Sequence, residues 1–159
     1  MTDQNPNSAV IGWQEYVALP EWNVPPIRAK SDSGARSSAI DVVDFEELPG
    51  DRVLFHVALS KLNRDNLVTI EAPIKRRTRI KSSNGSVHDR IIVETTIKVG
   101  EHEALVELGL VCRKTMLCRM LLGRTALVAG RFLVNSEKRY LLSQKPASTK
   151  HKKRRPGKP

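Results

Sequence analysis

The chain has 159 residues and a formal net charge of +10, from 27 Lys and Arg against 17 Asp and Glu; a single domain of this length buries about 70% of its unfolded surface. Hydrophobic residues make up 40% and aromatics only 4%, enough for a core but poor in the platforms on which single-stranded nucleic-acid binders stack bases. Residues 1–7 are polar and no run of about 18 apolar residues exists, so neither a signal peptide nor a spanning helix is expected, and the expected location is the cytoplasm.

In chain order, residues 1–9 read as a disordered N-terminus and 11–19 as the first strand. Pro20, Pro25 and Pro26 punctuate the connection that follows. Residues 27–31 and 37–43 are extended segments flanking a tight turn, and Pro49-Gly50-Asp51 marks another. Residues 53–59, 67–74, 91–99 and 104–111 are β-branched or alternating stretches of strand length. Between them, 75–82 and 87–98 form a long hairpin around Ser83, Asn84, Gly85 and Ser86. Asn84-Gly85 is the pair that a two-residue type I′ loop prefers, because both central positions need positive φ. Residues 124–130 predict a turn or two of helix closed by Gly130 as the residue after the C-cap. After it, 132–135 and 139–142 read as short strands around a polar turn. Many short strands with frequent turn signals predict an all-β barrel or sandwich over residues 10–143.

The charge is unevenly spread. Residues 144–159 hold Lys145, Lys150, Lys152, Lys153, Arg154, Arg155 and Lys158 and no acid, so the body carries 20 cations against 17 acids. This tail has almost nothing to bury and is expected to be disordered. It is either a solubilising extension or a contact for RNA or an acidic partner. Cys112 and Cys118 have no Cys or His cluster near them in sequence, which points to reduced, packed thiols and no metal site.

The stretch "KSDSGARSSAI", residues 30–40, sets one acid between two cations among small residues. Taken alone, Asp32-Ser33-Gly34-Ala35 is either an Asx turn without chemistry or half of a catalytic site. Ninety residues later comes Met120-Leu121-Leu122-Gly123-Arg124, an apolar run ending in Gly-Arg before the predicted helix. This pairing resembles the retropepsin-like aspartic proteases, whose chains carry one D-[ST]-G-A, a flap hairpin, and an apolar-apolar-G-R before a short C-terminal helix. "IGWQEYVALPEWNVPPIRAKSDSGARSSAI" with "RMLLGRTALVAGRFLVN" is more specifically similar to the bacterial branch of that family, long labelled ATP-dependent zinc proteases and encoded beside RimK-type glutamate ligases.

The resemblance implies a retropepsin-like acid-protease barrel with a flap hairpin and one short C-terminal helix. It further implies a homodimer in which Asp32 of each copy is catalytic, Ser33 braces the pair and Gly34 and Ala35 allow close approach. Leu121, Leu122 and Gly123 would thread behind the turn, and a flap at Ser83, Asn84, Gly85 and Ser86 would close over a peptide bound as an added strand. The zinc and ATP of the old label are not expected: there is no H-E-x-x-H, the four histidines are scattered, and no G-x-x-x-x-G-K-[ST] loop exists. No cofactor is expected. Ser31 and Arg36 depart from the family pattern, where an aliphatic residue and, in retroviral enzymes, an acid stand.

Lys30, Arg36, Arg79, Arg90, Arg119 and Arg124 surround the expected cleft and favour an acidic substrate. Arg suits a carboxylate because its planar fork can bond both oxygens. The association with RimK-type ligases, which add glutamate tails to a ribosomal protein, makes glutamate-rich or poly-glutamate tails the implied target. Arg124 is read slightly more as a structural residue, pairing with an acid at the dimer interface, than as a substrate contact, and Lys75 and Arg77 as solvated edge charges. A different class remains open: a non-catalytic basic β-barrel module binding RNA, the ribosome or acidic peptides.

Overall fold

The computed structural model describes residues 7–60, 62–81, 84–112 and 117–146. Of the disorder expected of residues 1–9 and 144–159, the parts at 1–6 and 147–159, like the flap role of Ser83, fall outside these, and Ala9 already lies in a strand. The first expected strand is two: β1 (Ala9–Gly12) and β2 (Gln14–Leu19). The break is at Trp13, whose N–H donates to the Lys138 carbonyl at 2.9 Å while its own carbonyl accepts from the Ser31 N–H at 2.9 Å. A 3-10 turn over Pro20–Trp22 leads into β3 (Val24–Ser31). Pro25 and Pro26 therefore lie inside a strand and not between strands. The β2–β3 register slips between Val17 and Leu19, and that irregularity accommodates two residues that have no N–H to give.

β4 (Ser38–Asp41) is followed by β5 (Asp44–Leu48), a strand the sequence reading missed. Its residues, DFEEL, are mostly exposed and lack alternation, because β5 is the edge of a three-stranded sheet with β6 (Arg52–Ala58) and β7 (Leu67–Pro73). β8 (Arg76–Lys81) and β9 (Val87–Val99) form the predicted hairpin, with Lys81 opposite Val87. That register leaves five residues in the connection, not the two of a type I′ loop. Asn84 accepts there from the Ser86 N–H at 3.1 Å, and Gly85 has φ +84°.

β10 (His102–Val111), β11 (Met120–Leu122), α1 (Arg124–Ala129) and β12 (Phe132–Asn135) complete the chain. Strands β10, β4, β11, β3, β2 and β9 are neighbours in that order, and β9 pairs back with β10, so the sheet closes into a six-stranded barrel. β8 continues outward from β9, and β1 pairs in parallel with β12. The expected all-β barrel with one short helix is what forms. Inward positions obey the period of two: Ala104, Val106, Leu108 and Leu110 are buried, while Leu105 is exposed. They meet Ile11, Val17, Leu19, Ile40, Phe55, Ile97, Met120 and Leu122 in one core.

Two local expectations are corrected. Gly130 does not supply the left-handed residue after α1; it has φ −84°, and Arg131 has φ +52°. Glycine is needed at 130 for space, because a Cβ there would run into the Phe132 ring. Residues 139–142 form no strand. Tyr140 has φ +55°, and the segment is a strap held by the buried Glu15 carboxylate, which accepts from the Leu142 N–H at 2.7 Å and the Ser143 hydroxyl at 3.0 Å.

Candidate active site

The end of β3 delivers Asp32 into the turn, half-buried. Its N–H donates to the Leu122 carbonyl at 2.9 Å, and its Oδ1 accepts from the Gly34 N–H at 2.9 Å and the Ala35 N–H at 3.2 Å. The carboxylate is thus aimed by its own turn, the Asx geometry that the four residues alone suggested. β11 lies between the strands on either side of that turn: Leu121 and Leu122 run parallel to Lys30 and Ser31 of β3, and Met120 and Leu121 run antiparallel to Ile40 and Ala39 of β4. Ser31 suits a place where relatives carry an aliphatic residue because its hydroxyl donates to the Gly12 carbonyl at 3.0 Å.

Gly123 is required where β11 passes the turn. A Cβ there would stand 2.5 Å from the Ser37 carbonyl oxygen and 3.0 Å from that of Ala35, both rigid backbone. Its N–H donates to the Ser38 hydroxyl at 2.9 Å, a contact the sequence reading did not anticipate. The first residues of α1 then close the turn from the other side. Arg124 N–H donates to the Ala35 carbonyl at 2.8 Å and Thr125 N–H to that of Arg36 at 3.2 Å. The Arg124 guanidinium donates to the Ser33 and Gly34 carbonyls at 3.0 and 3.1 Å. Within the chain this geometry makes Arg124 a brace for the turn, through carbonyls and not through an acid.

The cations divide sharply by position. Arg36 is exposed and opens onto a cavity of about 490 Å³ walled by Arg76, Thr78, Ile92, Glu107 and Thr125. Lys30 is exposed on the other side of Asp32, beside a hollow of about 260 Å³ with Trp13, Leu117 and Leu121. Among the described residues neither Arg36 nor Lys30 has a carboxylate partner. Arg90 stands opposite Thr78 and lays its aliphatic stem over Gly109. Arg79 pairs with Asp89 at 3.3 Å and is four-fifths exposed, and it too lines the Arg36 cavity, beside Arg76 and Thr78.

Arg119 is the clearest correction among the expected substrate contacts. It is 7% exposed, donates to the Ala58 carbonyl, and stands with Arg64 over the buried Asp41, which Arg64 holds at 2.7 Å. Burial pulls its guanidinium below the ordinary value while Asp41 pulls the other way. A cation so placed belongs to the barrel interior. Arg76, which was not among the expected substrate contacts, also walls the Arg36 cavity, as does Glu107, which the reading from sequence missed because its place depends on β8 and β10 both flanking β9.

An apolar hollow of about 590 Å³ opens on the other flank of Ser33, lined by Trp13, Leu127, Val128 and Phe132 among others. Beside it Val128 is 76% exposed, and Val10 and Leu133, direct partners in the β1–β12 pair, are 48% and 59% exposed. Among the described residues no group of three His, Cys, Asp or Glu side chains is placed to hold a metal ion, and no helix is long and apolar enough to cross a membrane.

Comparison with known proteins agrees with this geometry. Over 85% of its length the chain superimposes on 98% of a Legionella pneumophila protein of unknown function (DUF785), with a TM-score of 0.72 at 23% identity, a likeness of fold. It is 36% identical over 141 residues to a protein of Shewanella halifaxensis named a probable alpha-L-glutamate ligase, and 34% identical over 122 residues to one of the same name from Desulfotalea psychrophila. These matches cover 87% and 75% of the chain but only 31% and 26% of the relatives, so the chain spans about a third or less of their length. Residues 10–145 match the model of the RimB-like family, described as retropepsin-like aspartic endopeptidase RimB, and the chain belongs to that family.

Proposed function

We propose that the chain is one half of a homodimeric aspartic endopeptidase, with residues 10–143 as the peptidase domain, acting on acidic, glutamate-rich peptides. The observation that carries this reading is the Asp32 turn, whose carboxylate is oriented by Gly34 and Ala35 and whose backbone is clasped by Leu122 and Arg124. The chain contains one D-S-G-A, and hydrolysis of this type needs two carboxylates sharing one proton. The second Asp32 comes from a second copy. The exposed Val10, Val128 and Leu133 beside the apolar hollow support a docking face next to the turn.

In the dimer the ionised Asp32 takes a proton from water as its oxygen attacks the scissile carbonyl carbon, while the protonated Asp32 gives its proton to the carbonyl oxygen. Collapse of the tetrahedral intermediate returns a proton to the leaving nitrogen and breaks the C–N bond. Ser33 hydroxyls brace the paired turns, and the hairpin tip at Asn84, Gly85 and Ser86 covers the bound strand.

Acidic specificity is supported by Arg36 and Lys30, two cations that flank Asp32 in the chain and have no acid partner among the described residues. It is supported also by relatives named for glutamate ligation that contain a segment like this chain. A protein bearing an added glutamate tail, such as a ribosomal protein in the cytoplasm, is the target this chemistry points to. The basic residues from Lys145 onward favour one competing reading, a non-catalytic module that holds RNA or acidic ligands. Asp32→Asn separates the two when assayed on poly-α-glutamate. Loss of cleavage by about 10³-fold, in a protein that still dimerises, is the expected outcome. Unchanged cleavage would falsify the assignment, and salt-sensitive RNA binding without any turnover favours the module.

A further inference from the structure

Within the Arg36 cavity one residue has the wrong charge for a purely cationic subsite. Glu107, on β10, projects onto the cleft side and accepts from Arg76 Nε at 3.1 Å and Nη2 at 2.9 Å, both on the same oxygen. Its side chain is 31% exposed and that of Arg76 47%, so the pair lies at the cavity wall within reach of solvent. Around it are features that suit a glutamate side chain: Ile92 offers apolar surface for two methylenes, Thr78 and Thr125 offer hydroxyls, and Arg36 offers an unpaired guanidinium.

We infer that Glu107 is a built-in competitor for the acidic substrate, occupying the Arg76 guanidinium until a substrate carboxylate displaces it. The inference rests on the acidic-peptide reading above and adds to it a residue that sets affinity. The physical reason is the small net worth of a half-exposed ion pair: exchanging one carboxylate for another on Arg76 is nearly neutral. A single acidic side chain gains little from this exchange. A peptide with several carboxylates still gains at Arg36 and Lys30, so Glu107 favours acidic runs over isolated acids.

The test measures binding of a fluorescent octa-α-L-glutamate by anisotropy, with Asp32→Asn present throughout to prevent cleavage. Glu107→Gln should tighten binding by about threefold or more, the scale of one exposed ion pair released. Glu71→Gln is the control. Glu71 pairs with Arg52 at 2.7 Å in the β5–β6–β7 sheet, so its loss frees an arginine and changes net charge equally, but far from the cavity in the topology. It should leave binding unchanged. Adding Arg76→Gln to Glu107→Gln should remove the gain, and thermal melts report whether each variant is folded. Equal tightening by both Glu variants, or none by a folded Glu107→Gln, overturns the inference. A reference protein that does not bind octaglutamate overturns the acidic-substrate reading itself and this inference with it.

Discussion

The Asp32 turn and the β8–β9 hairpin stand across one cavity and are built in opposite ways. Residues 31–38 are held through backbone donors: the N–H groups of Ser31, Asp32, Gly34, Ala35, Gly123, Arg124 and Thr125 all have partners, some of them the Asp32 and Ser38 side chains, and Gly123 leaves no room for one carbon more. The outer strand of the hairpin, β8, has backbone pairing only to β9 and is otherwise tied to its surroundings by exposed side chains. Lys75 pairs with Glu94, Arg76 with Glu107, Arg77 with Glu47 and Asp51, and Arg79 with Asp89. Backbone bonds between buried groups are expensive to leave unmade, whereas exposed ion pairs contribute about 0–1 kcal/mol each. The contrast matches a site with a rigid floor and a roof that exchanges partners.

Substitutions can break that contrast. The largest stability effect is expected at the floor: Gly123→Ala places a Cβ against the Ser37 and Ala35 carbonyls and should cost about 2–3 kcal/mol, read as a lower denaturation midpoint with unchanged slope. A midpoint equal to the wild type's would mean the turn can shift, and the rigid floor would be lost as a description. A smaller effect is expected from Arg124→Ala, which removes two charge-assisted bonds to the Ser33 and Gly34 carbonyls. It should lower kcat about tenfold with KM little changed, and Arg124→Lys should not restore it, because both bonds come from one terminal nitrogen of the longer arginine, whose position a lysine ammonium does not reach. Recovery by lysine would indicate that only charge matters there. The least effect is expected at the roof. Arg77→Gln should leave the melting temperature unchanged although Glu47 and Asp51 both lose a partner; a clear drop would show that the hairpin is held as firmly as the turn.

The same contrast explains what could be read in advance. The turn and β11 were legible because their chemistry is local: Asp32-Ser33-Gly34-Ala35 needs small residues to fold its own N–H groups onto the carboxylate, and Leu121-Leu122-Gly123 must be apolar and then bare. β5 was not legible, since DFEEL has neither alternation nor β-branched residues and becomes a strand only because β6 offers a paired edge. The two-residue loop expected at Asn84-Gly85 failed for a related reason. Loop preference was outweighed by the register set where Val93, Ile97 and Val99 bury in the core, since a slip by one residue would turn every one of them to the wrong face.

Sequence by itself determined the all-β class, the hairpin, the short helix and the acid at the centre of the site, because each depends on periodicity or on residues adjacent in the chain. Which cations serve that site was decided by tertiary structure alone. Arg119 and Arg124 look equivalent when read along the chain, five residues apart around the same apolar run. Folding sends the first into the barrel against Asp41 and the second onto the turn carbonyls. Arg76 and Arg79 both line the Arg36 cavity from β8, but the first pairs with Glu107 and the second with Asp89. Charge is carried by residue type, but the partner it meets is set by strand register and closure of the barrel, which long-range packing decides.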